Sequence, residues 1–377
     1  MMLAFDARFL LHGFVHPHSR LVHLFLRQNG LTPFPARIIL YTDRAPDPLA
    51  ATQTYAASNV EIKVVGPFGG RWQRLIWLWF TLPRALKREG VTLFYSSFYF
   101  LPPRVVGVRL INSIHDCCVF YIDPKLNRGL LSSPVYLWVL KRMMQWTNRR
   151  ADATVTVSNF SKAMLHRHLD RPLPTVRVCY HGFEQAVSRR RETIAAPVVA
   201  TESRPYFLFV GSNLPKKNIR QCIAGYARLP VEIRRRYQLR LKTDCYPENR
   251  AQIDSLGLGA DVEFIHDHLD DEAMAALYQG ASLLLLLSYD EGFGLPIIEA
   301  FAANVPVLVA NRAACDELVT FAASKVDPND TDAIARKWHA LVTDQPLRES
   351  CLAEQNRLLP QFQQRAAAEK FHAAITL

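Results

Sequence analysis

Two carboxylates, Glu291 and Glu299, stand eight residues apart in the stretch Glu291-Gly-Phe-Gly-Leu-Pro-Ile-Ile-Glu299. An apolar run over residues 283–287 precedes them and a second, Val305 to Val309, follows. That order reads as strand, glycine loop, helix, strand, with the glycines where the helix begins. Backbone N–H groups at a helix start, added to the helix dipole, make an anion site. Glu291 precedes the predicted helix, and Glu299 falls about two turns along it. One carboxylate can meet a ligand at the loop while the other reaches a hydroxyl deeper along the same ligand. A phosphate flanked by two polyols, the outline of a nucleotide-sugar, fits that pattern.

Other residues carry complementary chemistry. Tyr206-Phe-Leu-Phe-Val-Gly211 is a strand ending in glycine, and Ser212-Asn-Leu-Pro-Lys-Lys-Asn218 follows before another helix. Lys216 and Lys217 at that junction suit a phosphate. Ile114-His115-Asp116 closes a strand in the first half. Asp330-Thr-Asp332 spells a metal-binding triplet, but it stands directly before a helical pattern, where Asp and Thr are ordinary caps. His16 and His18 have no carboxylate or cysteine partner near them in sequence, which argues against a metal pair.

Glu291 to Glu299 resembles the E-x7-E signature of retaining glycosyltransferases of family 4, which have the GT-B fold. In that family the first Glu lies against the donor sugar and the second binds the ribose hydroxyls. The amides after the first Glu hold the sugar or the distal phosphate. The resemblance implies Glu291 and His115 as catalytic residues. It implies Gly211, Lys216, Lys217, Gly292, Phe293, Gly294, Leu295 and Glu299 as donor-binding residues, and Gly13 and Asp116 on the acceptor side. Lys217 matches the near-invariant lysine of the family. Lys216 stands where arginine is usual, which loses the bidentate fork and keeps the charge. The segment Asp152 to Ser161 is also similar to the family's, and Ser158 there reads as a helix N-cap. Near the start, Asp6-Ala-Arg8 is kept, but a single Gly13 replaces the usual Gly-x-Gly loop and makes it bulkier.

The elements that must position these residues are strands alternating with helices. Strand patterns recur at residues 3–8, 37–41, 60–65, 91–95, 110–114 and 153–157, with helical ones near 19–28, 71–88 and 135–149. A second series begins at Tyr206. This is α/β grammar, and it predicts two Rossmann-like domains with parallel sheets facing each other across a cleft. The expected divisions are an acceptor domain over 1–185, a linker over 186–204 and a nucleotide-sugar domain over 205–355. The segment 356–377 is expected as a C-terminal helix crossing back to the first domain, as the resemblance implies. The linker holds the run Arg189-Arg190-Arg191.

A chain of 377 residues with 49% hydrophobic and 21% charged residues suits a large soluble enzyme. No apolar run is long enough to span a bilayer and the N-terminus lacks a signal pattern, so a cytoplasmic location is expected, peripheral on the inner face of the cell membrane. Seven cysteines without a C-x-x-C pair favour reduced thiols. Charge is uneven. Residues 1–200 carry 26 Lys and Arg against 11 Asp and Glu, and residues 201–377 carry 19 against 23. The basic half suits nucleic acid, an anionic membrane surface or a phosphate-rich acceptor. Arg71 to Arg88, rich in tryptophan with basic ends, reads either as a lipid-facing amphipathic element or as a core helix.

The resemblance implies a transferase that moves a sugar from a nucleotide-diphosphate donor to a lipid-linked or saccharide acceptor with retained configuration. It needs no metal or other cofactor, because lysines and helix amides meet the leaving diphosphate. The Lys-Lys-Asn style is more usual among mannosyltransferases of bacterial surface polysaccharides, which makes GDP-mannose the first expectation. A GT-B nucleotide-sugar epimerase would share the architecture without the combined motifs. A nucleic-acid binder would suit the basic half, but no nucleic-acid module signature is present, so nucleic acid is not an expected partner.

Overall fold

The computed structural model describes residues 1–8, 10, 19–42, 57–66, 76–116, 118–123, 126, 133–170, 172, 175–183 and 204–377. Gly13, His16, His18 and Arg189 to Arg191 lie outside these. The described chain forms two compact units. The first holds Met1–Phe120, Val135–Gly182 and Gln364–Leu377; the second holds Tyr121–Pro134 and Phe183–Gln363.

In the first unit the strands are β1 (Met2–Asp6), β2 (Arg37–Thr42), β3 (Val60–Val64), β4 (Leu93–Ser96), β5 (Arg109–Ser113), β6 (Ala153–Thr156) and β7 (Val176–Val178). They lie in the order β3-β2-β1-β4-β5-β6-β7, every pair parallel. The second unit has β8 (Tyr206–Val210), β9 (Gln238–Lys242), β10 (Val262–Phe264), β11 (Ala281–Leu286), β12 (Val307–Ala310) and β13 (Lys325–Val326). Their order is β10-β9-β8-β11-β12-β13, again all parallel. Strands buried on both faces explain the nearly unbroken apolar runs of β8 and β11. In each sheet the order reverses beside the first strand, the place where a crevice opens at the carboxyl ends of the strands.

The chain re-enters the first unit at Gln364, later than the expected 356, and the helix Gln345–Leu358 stays with the second. The helix Gln364–Thr376 then packs Phe371 against Tyr95, Phe25 and Phe5 at ring-centroid distances of 5.0, 5.7 and 6.4 Å. Arg109 donates to the Thr376 carbonyl at 3.1 Å and Arg177 to that of Ala374. Two strand arginines thus meet the carbonyls and negative dipole end of this helix. The excursion of Tyr121–Pro134 into the second unit has no signature in the sequence.

Of the tryptophan-rich segment, residues 76–88 are described and 71–75 lie outside the described residues. Trp77 opens a wider π-type turn, Trp77–Thr81, and is fully buried among Leu78, Leu82 and Phe94. The Arg8 guanidinium sits 4.2 Å from its ring and pairs with Asp6 at 2.6 Å. Ile76, Trp79 and Phe80 face outward. Among the described residues no helix is long and apolar enough to cross a membrane. Six cysteines, Cys118, Cys179, Cys222, Cys245, Cys315 and Cys351, are free thiols.

Because Phe371 fills a fully buried aromatic cluster, Phe371→Ala should cost about 3–5 kcal/mol. Urea unfolding followed by near-UV circular dichroism measures this, and an unchanged midpoint would deny the helix its part in the core.

Candidate active site

β8 and β11 are parallel neighbours, so the segments that follow them leave at the same edge of the sheet. After β8 come Gly211 and a loop, then a short 3₁₀ turn, Pro215–Lys217. Asn218 stands next in a left-handed conformation, φ 58°, and the helix Ile219–Ala227 begins. Its amide donates to the carbonyls of Leu287 and Pro328, each at 3.0 Å. One buried side chain thus fastens the lysine turn to the end of β11 and to the loop beyond β13.

After β11 the chain runs through Ser288, Tyr289, Asp290 and Glu291 to the glycine loop. Gly294 has φ 104°, and a side chain there would press on Ile297 at 3.0 Å. The helix Leu295–Ala302 starts only after it, so Glu299 lies about one turn in rather than the expected two. The left-handed glycine ends the non-helical stretch and delays the helix.

The structure brings three of the expected site residues, Lys216, Lys217 and Glu291, together. Lys217 Nζ lies 2.6 Å from Glu291 Oε1 and 2.8 Å from Oε2. Ser288 donates to the same Oε1 at 2.8 Å. Lys216 Nζ is 3.8 Å from Asp290 Oδ2, and Tyr121 donates its hydroxyl to Asp290 Oδ1 at 2.7 Å. The Tyr289 amide donates to the Lys216 carbonyl at 2.8 Å. Asp290 and Glu291 are only 2% and 8% exposed, so these partners matter to them.

Other expected residues stand apart. Glu299 accepts a bond from the Tyr278 hydroxyl at 2.7 Å. The Phe293 side chain is buried edge-on to Phe362 at 6.2 Å, which commits its ring to packing. His115 and Asp116 belong to the first unit. The His115 carbonyl accepts from Ser161 at 2.9 Å, and its buried ring lies edge-to-face with His181 at 5.0 Å. Asp116 accepts from the Cys118 amide at 3.3 Å. Ser158 caps its helix through the Ser161 amide, and Asp330 caps through that of Ala333, as their positions predict.

Sequence reasoning missed Asp290, Tyr121, Ser288, Tyr278 and His181. Asp290 carried a signal, being the acid beside Glu291, as Lys216 is the lysine beside Lys217. Beside Gly211 a cavity of about 250 Å³ opens at the ends of β8 and β9, lined by Asn213, Lys242, Thr243, Asp244 and His266 among others. Burial pushes the Cys315 thiol well above its ordinary range, and the Glu291 carboxylate adds to the effect. That thiol stays protonated and is no nucleophile. Among the described residues no group of three or more His, Cys, Asp or Glu could hold a metal ion.

Two family matches cover most of the chain. Residues 190–357 match "Glycosyl transferases group 1" and residues 29–186 match "Glycosyltransferase Family 4". The chain belongs to glycosyltransferase family 4. The transferase is similar to O-antigen chain mannosyltransferase B of Escherichia coli, 27% identical over 286 residues, covering 71% of this chain and 70% of that one. It is also similar to O-antigen chain mannosyltransferase RfbU of Salmonella typhimurium strain LT2, 35% identical over 233 residues, covering 61% and 59%. Its fold is that of sucrose-phosphate synthase from Thermosynechococcus elongatus, at 18% identity, TM-score 0.71 and coverage of 99% and 98%. The architecture is GT-B.

Replacing Asn218 with alanine strands two carbonyls and leaves a side chain poorly suited to φ 58°. The enzyme should lose about 2–4 kcal/mol of stability, read from urea unfolding. A loss near zero would mean the lysine turn is held by other contacts.

Proposed function

We propose that this glycosyltransferase transfers mannose from GDP-mannose, with retained configuration, to a lipid-linked or saccharide acceptor in surface polysaccharide synthesis. The observation that carries the reading is the Lys216–Lys217 turn set against Asp290 and Glu291, where β8 and β11 end side by side. A diphosphate leaving group gains charge as the sugar departs, and two ammonium groups near a helix N-terminus suit that charge. Glu291 is then the sugar-side carboxylate and Glu299 the ribose-side one. Similarity to two O-antigen mannosyltransferases supports mannose. Asp244 beside the strand-end cavity supports guanine, whose adjacent N–H donors match a carboxylate. No metal enters this reading. His115 and Asp116 are the first unit's candidates for a part in the chemistry.

Lys217→Ala and Glu299→Ala should each weaken GDP-mannose binding tenfold or more, the equivalent of about 1.5–3 kcal/mol for a charged contact. Calorimetry in excess EDTA is the measurement. Wild-type affinity in either variant removes that residue from the site, and binding that needs added metal removes the metal-free reading.

The acceptor side rests on the surface of the first unit. Ile76, Trp79 and Phe80 are exposed on one helical segment, and Val135, Trp138 and Val139 on the helix Pro134–Asn148. Trp79 stacks on Trp146 at 4.8 Å, joining the two, and Arg150 lies over Trp146 at 3.2 Å. Neither residues 76–88 nor residues 134–150 contain an Asp or Glu. Aromatic and basic groups without acids suit an anionic leaflet, where each basic residue contributes about 1 kcal/mol. The enzyme should co-sediment with anionic vesicles, release as salt rises, and bind less once Trp79 and Trp138 are changed to serine. Equal, negligible binding to anionic and neutral vesicles would favour an acceptor free in solution.

A further inference from the structure

The two lysines each face one acid, and each acid has a hydroxyl of its own. Lys217, Glu291 and Ser288 form one set, with separations of 2.6 and 2.8 Å. Lys216, Asp290 and Tyr121 form the other, with separations of 3.8 and 2.7 Å. The family resemblance accounts for Glu291 and both lysines but assigns nothing to Asp290 or Tyr121. Asp290 is also the more deeply buried acid, at 2% exposure. A buried carboxylate facing the donor lysines counters the charge that a diphosphate needs. It persists there only if its own charge stays satisfied when a lysine turns away.

Resting on the donor role of the lysines, we infer that Asp290 and Tyr121 are positioning residues of the donor site. Asp290 holds Lys216 in place as a stand-in anion, and a donor phosphate takes over that ammonium. Tyr121 keeps a charge-assisted bond to Asp290 Oδ1 throughout the exchange. Lys217 grips both oxygens of Glu291, and Lys216 Nζ stands 3.8 Å from Asp290 Oδ2. The bond from the Tyr289 amide to the Lys216 carbonyl keeps the backbone in place while the side chain swings. When the nucleoside diphosphate leaves, Asp290 recaptures Lys216. The acid thereby weakens product binding and speeds release.

A binding cycle tests this, using whichever of GDP, UDP or ADP binds the wild-type enzyme most tightly, with its nucleoside as control. Asp290→Asn removes the competing charge and should tighten diphosphate binding roughly threefold to tenfold, with a lower kcat and an unchanged nucleoside affinity. Tyr121→Phe leaves Asp290 leaning harder on Lys216 and should weaken diphosphate binding by a similar factor. In the Asp290→Asn background the same tyrosine change should do nothing. Both substitutions conserve shape, and thermal melting confirms that the fold is kept. Weaker diphosphate binding in Asp290→Asn, an equal change for the nucleoside, or the same tyrosine effect in both backgrounds overturns the inference alone, provided Lys217→Ala still abolishes tight binding. If no diphosphate binds the wild type, or Lys217→Ala changes nothing, the donor reading falls and this inference falls with it.

Discussion

Leu283 and Leu284 of β11 lie in register with Phe207 and Leu208 of β8, and the ladder between them is parallel. Every charged group of the candidate donor site depends on that pairing. A parallel ladder sends both strands out at one edge, so a lysine turn and an acidic loop more than seventy residues apart in sequence become neighbours. Asn218 then fixes their separation through two bonds to carbonyls that follow β11 and β13. A sheet order that moved either strand would separate the cations from the carboxylates.

The balance of charge at this edge is a constraint in its own right. Two ammonium groups face two carboxylates, all largely withdrawn from water. Buried ion pairs of this kind add little net stability, because desolvation offsets most of the attraction. Breaking one without a substitute is costly. A diphosphate is a substitute, so a ligand of matching charge can take the lysines where a neutral one cannot.

Much of this was legible in the sequence, for identifiable reasons. β8 and β9 are apolar or alternating runs bounded by breakers, and their limits were readable to the residue. The glycine loop and the Lys-Lys-Asn turn carried strong local signatures. β7 and β13, with three and two residues, are too short for a period to register. The helix start at Leu295 hid behind Gly294, since a left-handed glycine and a helical one look alike in sequence. The Tyr121–Asp290 bond spans 169 positions and follows from the path of the chain, which no local pattern encodes. The tryptophan-rich segment could not be resolved by type, because Trp77 and Trp79, two positions apart, turn to opposite environments.

The return of Gln364–Thr376 to the first unit has a consequence for synthesis. The aromatic cluster of Phe5, Phe25 and Tyr95 is made early on the ribosome, yet its partner Phe371 emerges after the whole of the second unit. The second unit can close its sheet as a contiguous stretch of nascent chain, whereas the first must wait with an apolar gap. The half begun first in translation is thus completed last.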